Sequence, residues 1–524
     1  MRSHRNGRNF QRALWSACLV GAVGSITTPS AKASDFYVSN SYAGTNGAPF
    51  TTGGVTYAGA YSSINAALGS VGSGASPANP NRIIFAPGTY NTAATTGVSL
   101  KYSKSNVDLI GLDGNSNDVI ITSTLDSSYI PAGGSALGTS GSASLMLTGN
   151  NVGAANITFA NSTDTPYIVN TGHQAVSPTG SYVTGQSQTV NEPAVALLLQ
   201  GDEQVFNNVQ VLGYQDSLYT KGGRSYFTNS TVSGDVDFIF ANGTTVLNNS
   251  TINMDGDHSG GDITAASTDK RTSNGLVFLN DTITANSVKG NPAIDSMNAA
   301  NANGPAASSM TLGRPWGWTQ TGGDASTVFI NTKMASAIKP VGWSAWDSTE
   351  TTVTNNKNNG NPAEDSRFAE YNSTNLSGNP ISTASRVTWS HQLVASQASA
   401  YTVDNIFSES YPWYGDGYSA TDASNPGTGS ANPSDPNYSW PAYWGDRNSN
   451  NESANDLVSA TFPTPGNPSG YTDPSWTLGG NWDPTLQLST LVLPPVPEPG
   501  PAALLGVLIF APLLRRPRRD SLAG

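Results

Sequence analysis

Three asparagines set the terms on which this chain can fold. Asn208, Asn229 and Asn249 fall 21 and 20 residues apart, inside the matching segments 205–211 (VFNNVQV), 226–232 (YFTNSTV) and 246–252 (VLNNSTI). Each stands three residues before an aliphatic one, Val211, Val232 or Ile252, and Asn280 before Ile283 and Asn331 before Met334 continue the pattern with longer insertions. A unit this short cannot bury its apolar face alone, so successive units must stack. The reading is an all-β parallel β-helix, in which like side chains form ladders along the axis. A leucine-rich repeat would need Leu at fixed positions and helical returns, which the sequence lacks. A β-sandwich stays open, because short strands with turn signals look alike in sequence.

Composition agrees with a β-rich exported chain: 37% of the residues are hydrophobic, only 11% are charged, and there are 55 glycines. No long stretch keeps a helical period. The early helix candidate is 62–68 (SSINAAL), capped by a serine and closed by Gly69. Segments 82–90, 107–111, 119–121 and 157–159 read as short strands at roughly repeat spacing.

The chemistry of interest lies at 212–242. Asp216 and Asp237 each interrupt a short apolar run that reads as a buried strand, and they are 21 residues apart, the same interval as the repeat. On successive coils the two carboxylates would be neighbours, since adjacent strands lie ~4.8 Å apart. Two close carboxylates resist ionising together, which leaves a base or nucleophile beside a general acid. A role in turns or ladders is the alternative that spacing alone leaves open.

The surrounding residues resemble those of the pectinesterase family. Segment 213–219 (GYQDSLY) is similar to the family's GYQDTLY, 234–240 (GDVDFIF) to its GTVDFIFG, and 312–316 matches LGRPW outright. The likeness covers roughly residues 35–407, including AVAL at 194–197, PVGW at 340–343 with Trp346, and SRVTW at 385–389. It implies a right-handed, single-stranded β-helix that removes methyl esters from polygalacturonate without a metal or other cofactor. By motif, Asp237 would be the nucleophile, Asp216 the general acid and Gln215 an oxyanion donor, with Arg314 pairing with Asp237. Trp316, Trp343, Tyr219 and Phe238 would bind substrate. The partner implied is methyl-esterified pectin, met by a monomer.

One position departs from the family's pattern. Where family members carry a glutamine immediately before AVAL, this chain has Pro193, which offers neither a side-chain donor nor an N–H. Gln200, Glu192 or water would have to compensate. Asp235, in place of the usual threonine, adds an acid that strand alternation would point the same way as Asp237. A non-catalytic pectin-binding module and a polysaccharide lyase on the same solenoid are the alternative functions. Asp255, Asp257, His258 and Asp262 form a possible metal loop, read here as a turn, and no GxSxG elbow marks a serine esterase.

Both ends read as targeting devices. Residues 1–33 have the order of a secretory signal: four arginines, an apolar run over 13–26, and Ala31-Lys32-Ala33 as the cleavage site. Cys18, the only cysteine, lies within it, so the exported chain would carry no thiol. The mature domain is read as 34–408. Residues 409–495 form an irregular extension whose tryptophans, Trp413, Trp440, Trp444, Trp476 and Trp482, are read as packing residues. Segment 496–519 (VPEPG, an apolar run and four arginines) resembles PEP-CTERM sorting signals, which implies an exosortase-like partner, membrane contact during export, and a secreted or surface-attached product.

The full chain has 24 basic and 36 acidic residues; the signal holds five of the basic ones, and the tail from Arg515 four with one acid. The remainder has a formal charge of −20, which argues against a nucleic-acid partner.

Overall fold

The protein is described by a computed structural model over residues 33–93, 98–131, 134–163, 180–182, 193–255, 260–268, 274–287, 304–316, 325–346, 366–388, 390–407 and 482–493. Each coil repeats one path. Gln204–Asn207 lies in a 12-stranded sheet, Gln210–Leu212 in a nine-stranded sheet and Leu218–Thr220 in a seven-stranded sheet, and Arg224–Thr228 then returns to the first sheet one rung on. Successive coils pair in parallel, with Gln204 against Ser225, Gln210 against Thr231 and Leu218 against Ile239. The fold is the expected right-handed parallel β-helix.

The asparagines turn the corner between the 12-stranded and nine-stranded sheets. Asn208, Asn229, Asn249, Asn280 and Asn331 have φ of 53°, 50°, 55°, 57° and 54°. This left-handed conformation is costly for most side chains and tolerated by Asn. The amides also bond along the axis: Asn208 donates to Asn156 at 2.8 Å, Asn249 to Asn229 at 2.7 Å and Asn331 to Asn280 at 3.2 Å. The ladder reaches two members beyond the expected set, Asn156 and Asn372. Three residues on, Val211, Val232, Ile252, Ile283 and Met334 stack in register and are buried.

Inside the coils, aromatic rings extend the ladder logic. Phe206 stacks on Phe227 at 4.4 Å and Phe278 on Phe329 at 4.3 Å between centroids. The early helix runs Ile64–Ser70, two residues later than expected, because Ser63 is the residue in extended conformation whose hydroxyl accepts from the Ala66 N–H. Its buried residues Ile64, Ala67 and Leu68 join the main core. The run at 82–90 divides into Asn81–Phe85 and Gly88–Asn91, broken at Pro87, which has no N–H for a ladder.

A second apolar layer covers the outer face of the 12-stranded sheet. Val205, Tyr226, Val246 and Val277 meet Phe407, Trp482 and Leu491 there. The last described segment therefore packs back on the solenoid, with Pro484–Leu488 helical and capped by Asp483. Trp482 is a packing residue, 4.6 Å from the Phe407 ring and 5.5 Å from the Arg224 guanidinium carbon. The remaining extension tryptophans, the N-terminal signal and the 496–519 segment lie outside the described residues. Among the described residues, no helix is long and apolar enough to cross a membrane.

Candidate active site

Both candidate aspartates occupy corners between the nine-stranded and seven-stranded sheets, not strands as expected. Asp216 falls between Gln210–Leu212 and Leu218–Thr220, and Asp237 between Thr231–Gly234 and Ile239–Ala241. Their φ values, 64° and 48°, explain the difference: the left-handed conformation bends the chain and ends the pleat. Gly234 makes the bend possible, because a Cβ there would stand 2.2 Å from Phe238 Cβ and 2.5 Å from the Tyr214 carbonyl oxygen. The two corners stack, with the Asp216 N–H donating to the Val236 carbonyl at 3.1 Å and the Leu218 N–H to the Phe238 carbonyl at 2.8 Å. The carboxylates thus come from equivalent positions on adjacent rungs.

Arg314 arrives from the strand Met310–Pro315, where it pairs with Ala265. Its Nε donates to Asp237 Oδ1 at 2.9 Å and its Nη2 to Oδ2 at 2.5 Å, the planar fork that suits a carboxylate. The expected ion pair is present. The Trp346 ring covers the guanidinium, 4.2 Å from its carbon.

This arrangement separates the two acids electrostatically. Burial raises the Asp216 pKa well above the usual carboxylate range, and the charge of Asp237 pushes it further. Burial also raises Asp237, but the Arg314 hydrogen bonds and charge oppose this and hold it at about 6, against smaller upward pushes from Asp262 and Asp235. Asp216 therefore keeps its proton to higher pH than Asp237 does. Asp235 lies at the corner outside any strand, so alternation does not orient it like Asp237; it is fully buried, and its charge raises the pKa of both acids.

The pair opens into a cleft of about 510 Å³ lined by Gln215, Tyr219, Phe240, Arg314, Trp316 and Trp346, among others. Tyr219 and Phe240 stack at 4.0 Å, and Trp316 meets both edge-on at 6.2 and 5.7 Å. Two of the four expected substrate-binding residues, Tyr219 and Trp316, are here. The other two, Phe238 and Trp343, do not line it.

Phe238 is fully buried in the central core, because the left-handed Asp237 puts it and Ile239 both inward. Trp343 is 1% exposed and stacks on Phe368 at 4.5 Å. It continues the column of Ile239, Thr264 and Gly313, whose side faces the core. Phe240 and Trp346 take their places at the cleft. Phe240 was findable, since it follows Tyr219 by the same 21 residues that separate the aspartates.

Pro193 forms part of the cleft wall, one coil before Gln215, whose carbonyl accepts from the Ala194 N–H at 3.2 Å. Gln200 follows the strand Leu197–Leu199 and does not line the cleft, so it cannot compensate. Glu192 lies outside the described residues. Thr139 and Ser140, from the short helix Gly138–Gly141, bring hydroxyls to the same cleft, and no sequence motif marked them.

Of the possible metal loop, Asp257 and His258 lie outside the described residues. Asp262 instead accepts from the hydroxyls of Thr311 and Ser344 and lies 3.4 Å from Arg314 Nε. Among the described residues, no group of three or more His, Cys, Asp or Glu is placed to hold a metal ion.

Residues 182–410 match the sequence model of the Pectinesterase family. Pectinesterase A of Dickeya dadantii is 30% identical over 348 residues, covering 64% of this chain and 84% of its own length. The solved pectin methylesterase PemA from Erwinia chrysanthemi superposes with a TM-score of 0.52 at 27% identity, over 73% of this chain and 98% of that one. A pectin methylesterase in complex with a hexasaccharide gives 0.52 at 28% identity, over 72% and 97%. With a relative matched over most of its length and the three motifs gathered around one cleft, this chain belongs to the pectinesterase family.

Proposed function

We propose that the protein hydrolyses the methyl esters of polygalacturonate, giving pectate and methanol, with Asp237 and Asp216 as the reacting pair. The observation that carries this reading is the Arg314 fork on Asp237 beside an acid that keeps its proton. The ionised Asp237 oxygen attacks the ester carbonyl, and negative charge moves onto the carbonyl oxygen, where the Gln215 amide donates. Asp216 gives its proton to the methoxy oxygen as the C–O bond breaks, so methanol leaves and an acyl-enzyme anhydride remains. Asp216, now ionised, takes a proton from the water that attacks this anhydride. Asp237 departs as a carboxylate and returns to Arg314. Tyr219, Phe240 and Trp316 offer ring faces for the sugar chain.

Methanol release from highly methylated pectin tests the assignment. The wild type releases methanol and Asp237→Asn does not; an inactive wild type would overturn the esterase reading, and unsaturated products would indicate a lyase. The proposed steps use side chains alone, so a chelator should leave the rate unchanged. Pro193 in the cleft wall favours one second reading, a weakened or non-catalytic pectin-binding protein, which the same assay separates.

Export with loss of residues 1–33, an extension over 409–495 and sorting through 496–519 by an exosortase-like enzyme complete the proposal, with the monomer facing pectin outside the cell. The support is the order of parts at each end of the sequence. Mass measurement of the mature protein decides both cleavage sites.

A further inference from the structure

Asp262 has no step in the reaction above, yet the register makes it the third acid of the catalytic column. Ile239 pairs in parallel with Thr264, and Asp237 and Asp262 each stand two residues before that pair, one coil apart. Asp237 occupies a left-handed corner, whereas Asp262 lies in the strand Gly261–Ala266 and pairs with Thr311. Two hydroxyls fix its carboxylate, those of Thr311 and Ser344, both on Oδ1. The free oxygen then points to Arg314: Oδ2 lies 3.4 Å from Nε, the same nitrogen that donates to Asp237.

We propose that Asp262 is a positioning residue, a tethered carboxylate that holds the Arg314 fork in the orientation in which it grips Asp237. The idea rests on the reading of Asp237 as nucleophile. Arg314 has a long side chain that is 24% exposed, so holding one geometry requires restraint from more than its single partner. Trp346 covers the guanidinium, and Asp262 supplies a second, directional restraint. The Asp262 charge also acts directly on Asp237, in the opposite sense to Arg314 and more weakly. Asp262 raises the proton affinity of Asp237, partly offsetting Arg314, so the nucleophile stays aimed without becoming a very weak base. Asp262 does not line the cleft, so it acts through Arg314 and not on the substrate.

Asp262→Asn in the mature protein tests this with three readouts. In its crystal structure the Arg314 fork is expected to leave Asp237. In the pH profile of kcat/KM, the acid limb is expected to move to higher pH, because losing the Arg314 hydrogen bonds and charge outweighs removing the smaller push of Asp262 on Asp237. At the plateau, kcat is expected to fall about 10- to 100-fold, as for a misaligned catalytic group, while KM holds. Asp262→Glu is expected to restore the acid limb, and the Thr311→Val, Ser344→Ala double variant to lower kcat by loosening the tether. An unshifted acid limb with wild-type kcat, or an intact Arg314–Asp237 fork in the Asn variant, overturns the proposal. If the Asn variant does not fold, the double variant carries the same readouts. If the wild type releases no methanol, the esterase reading fails, while the crystal structures still decide whether Asp262 positions Arg314.

Discussion

Replacing Arg314 with methionine keeps most of the side-chain length and removes the fork. Two hydrogen bonds to the Asp237 carboxylate are lost, at 2.9 and 2.5 Å. Hydrogen bonds to charged groups contribute about 1.5–3 kcal/mol each, and one pKa unit corresponds to about 1.4 kcal/mol, so the two together set an upper range of about two to four units. The Arg314 side chain keeps 24% exposure, so solvent screening trims this to about one unit.

The sign follows from the chemistry. The nucleophile must be ionised, and losing a cation raises its pKa, so the acid limb of kcat/KM should move from about 6 to about one unit higher. Arg314 also lowers the Asp216 pKa, so the alkaline limb should rise with it and the whole bell should move up. Initial rates of methanol release between pH 4 and 9 give both limbs. Arg314→Lys, which keeps a point charge without the fork, should fall between. An acid limb that stays in place in Arg314→Met would refute the claim that the guanidinium holds Asp237 ionised.

Three other outcomes are expected. Phe240→Ala should raise KM for pectin with little loss of stability, while Phe238→Ala should cost about 3–5 kcal/mol in denaturant unfolding, as for an emptied core site; matching effects would undo the assignment of Phe240 to the cleft. Pro193→Gln, which returns an amide to the cleft wall, should raise kcat by tenfold or more, towards the ~10² that one oxyanion donor contributes; no gain would show that this position is silent.

Asp108 lies under Leu491 and near Thr490, and burial lifts its pKa to about 7. Its folded value exceeds the unfolded one, so it contributes stability fully below the unfolded pKa and loses it as pH rises through the folded value. Asp108→Asn should therefore unfold at higher denaturant than wild type at pH 8, by about 2–4 kcal/mol, with the gap closing near pH 4. A gap independent of pH would rule out ionisation of Asp108 as the cause.

Much of the architecture was legible because a solenoid writes its period into the chain. A column of asparagines must recur once per coil when each has to take the left-handed corner, and Asn208, Asn229 and Asn249 do so. The aspartate pair was legible for the same reason, since Asp216 and Asp237 share the repeat interval. Side-chain direction was not. Alternation assumed unbroken strands, and the left-handed Asp237 shifted the phase, which sent Phe238 inward and brought Phe240 to the cleft. Trp343 and Trp346 lie three residues apart and differ in role, a distinction carried by the column that Trp343 joins.

What the sequence by itself determined was therefore the period, the class of fold and the one-coil spacing of Asp216 and Asp237, because these rest on spacing and residue type. The tertiary structure decided how the charges are apportioned. Arg314 lies 77 residues from Asp237 in the chain, and only the stacking of coils brings its fork within hydrogen-bond reach. The same stacking places Asp262 against that fork, lowers the dielectric around both carboxylates and sets their pKa values apart. Burial and distance in space are properties of the packed coils, and they set the order in which the two acids release their protons.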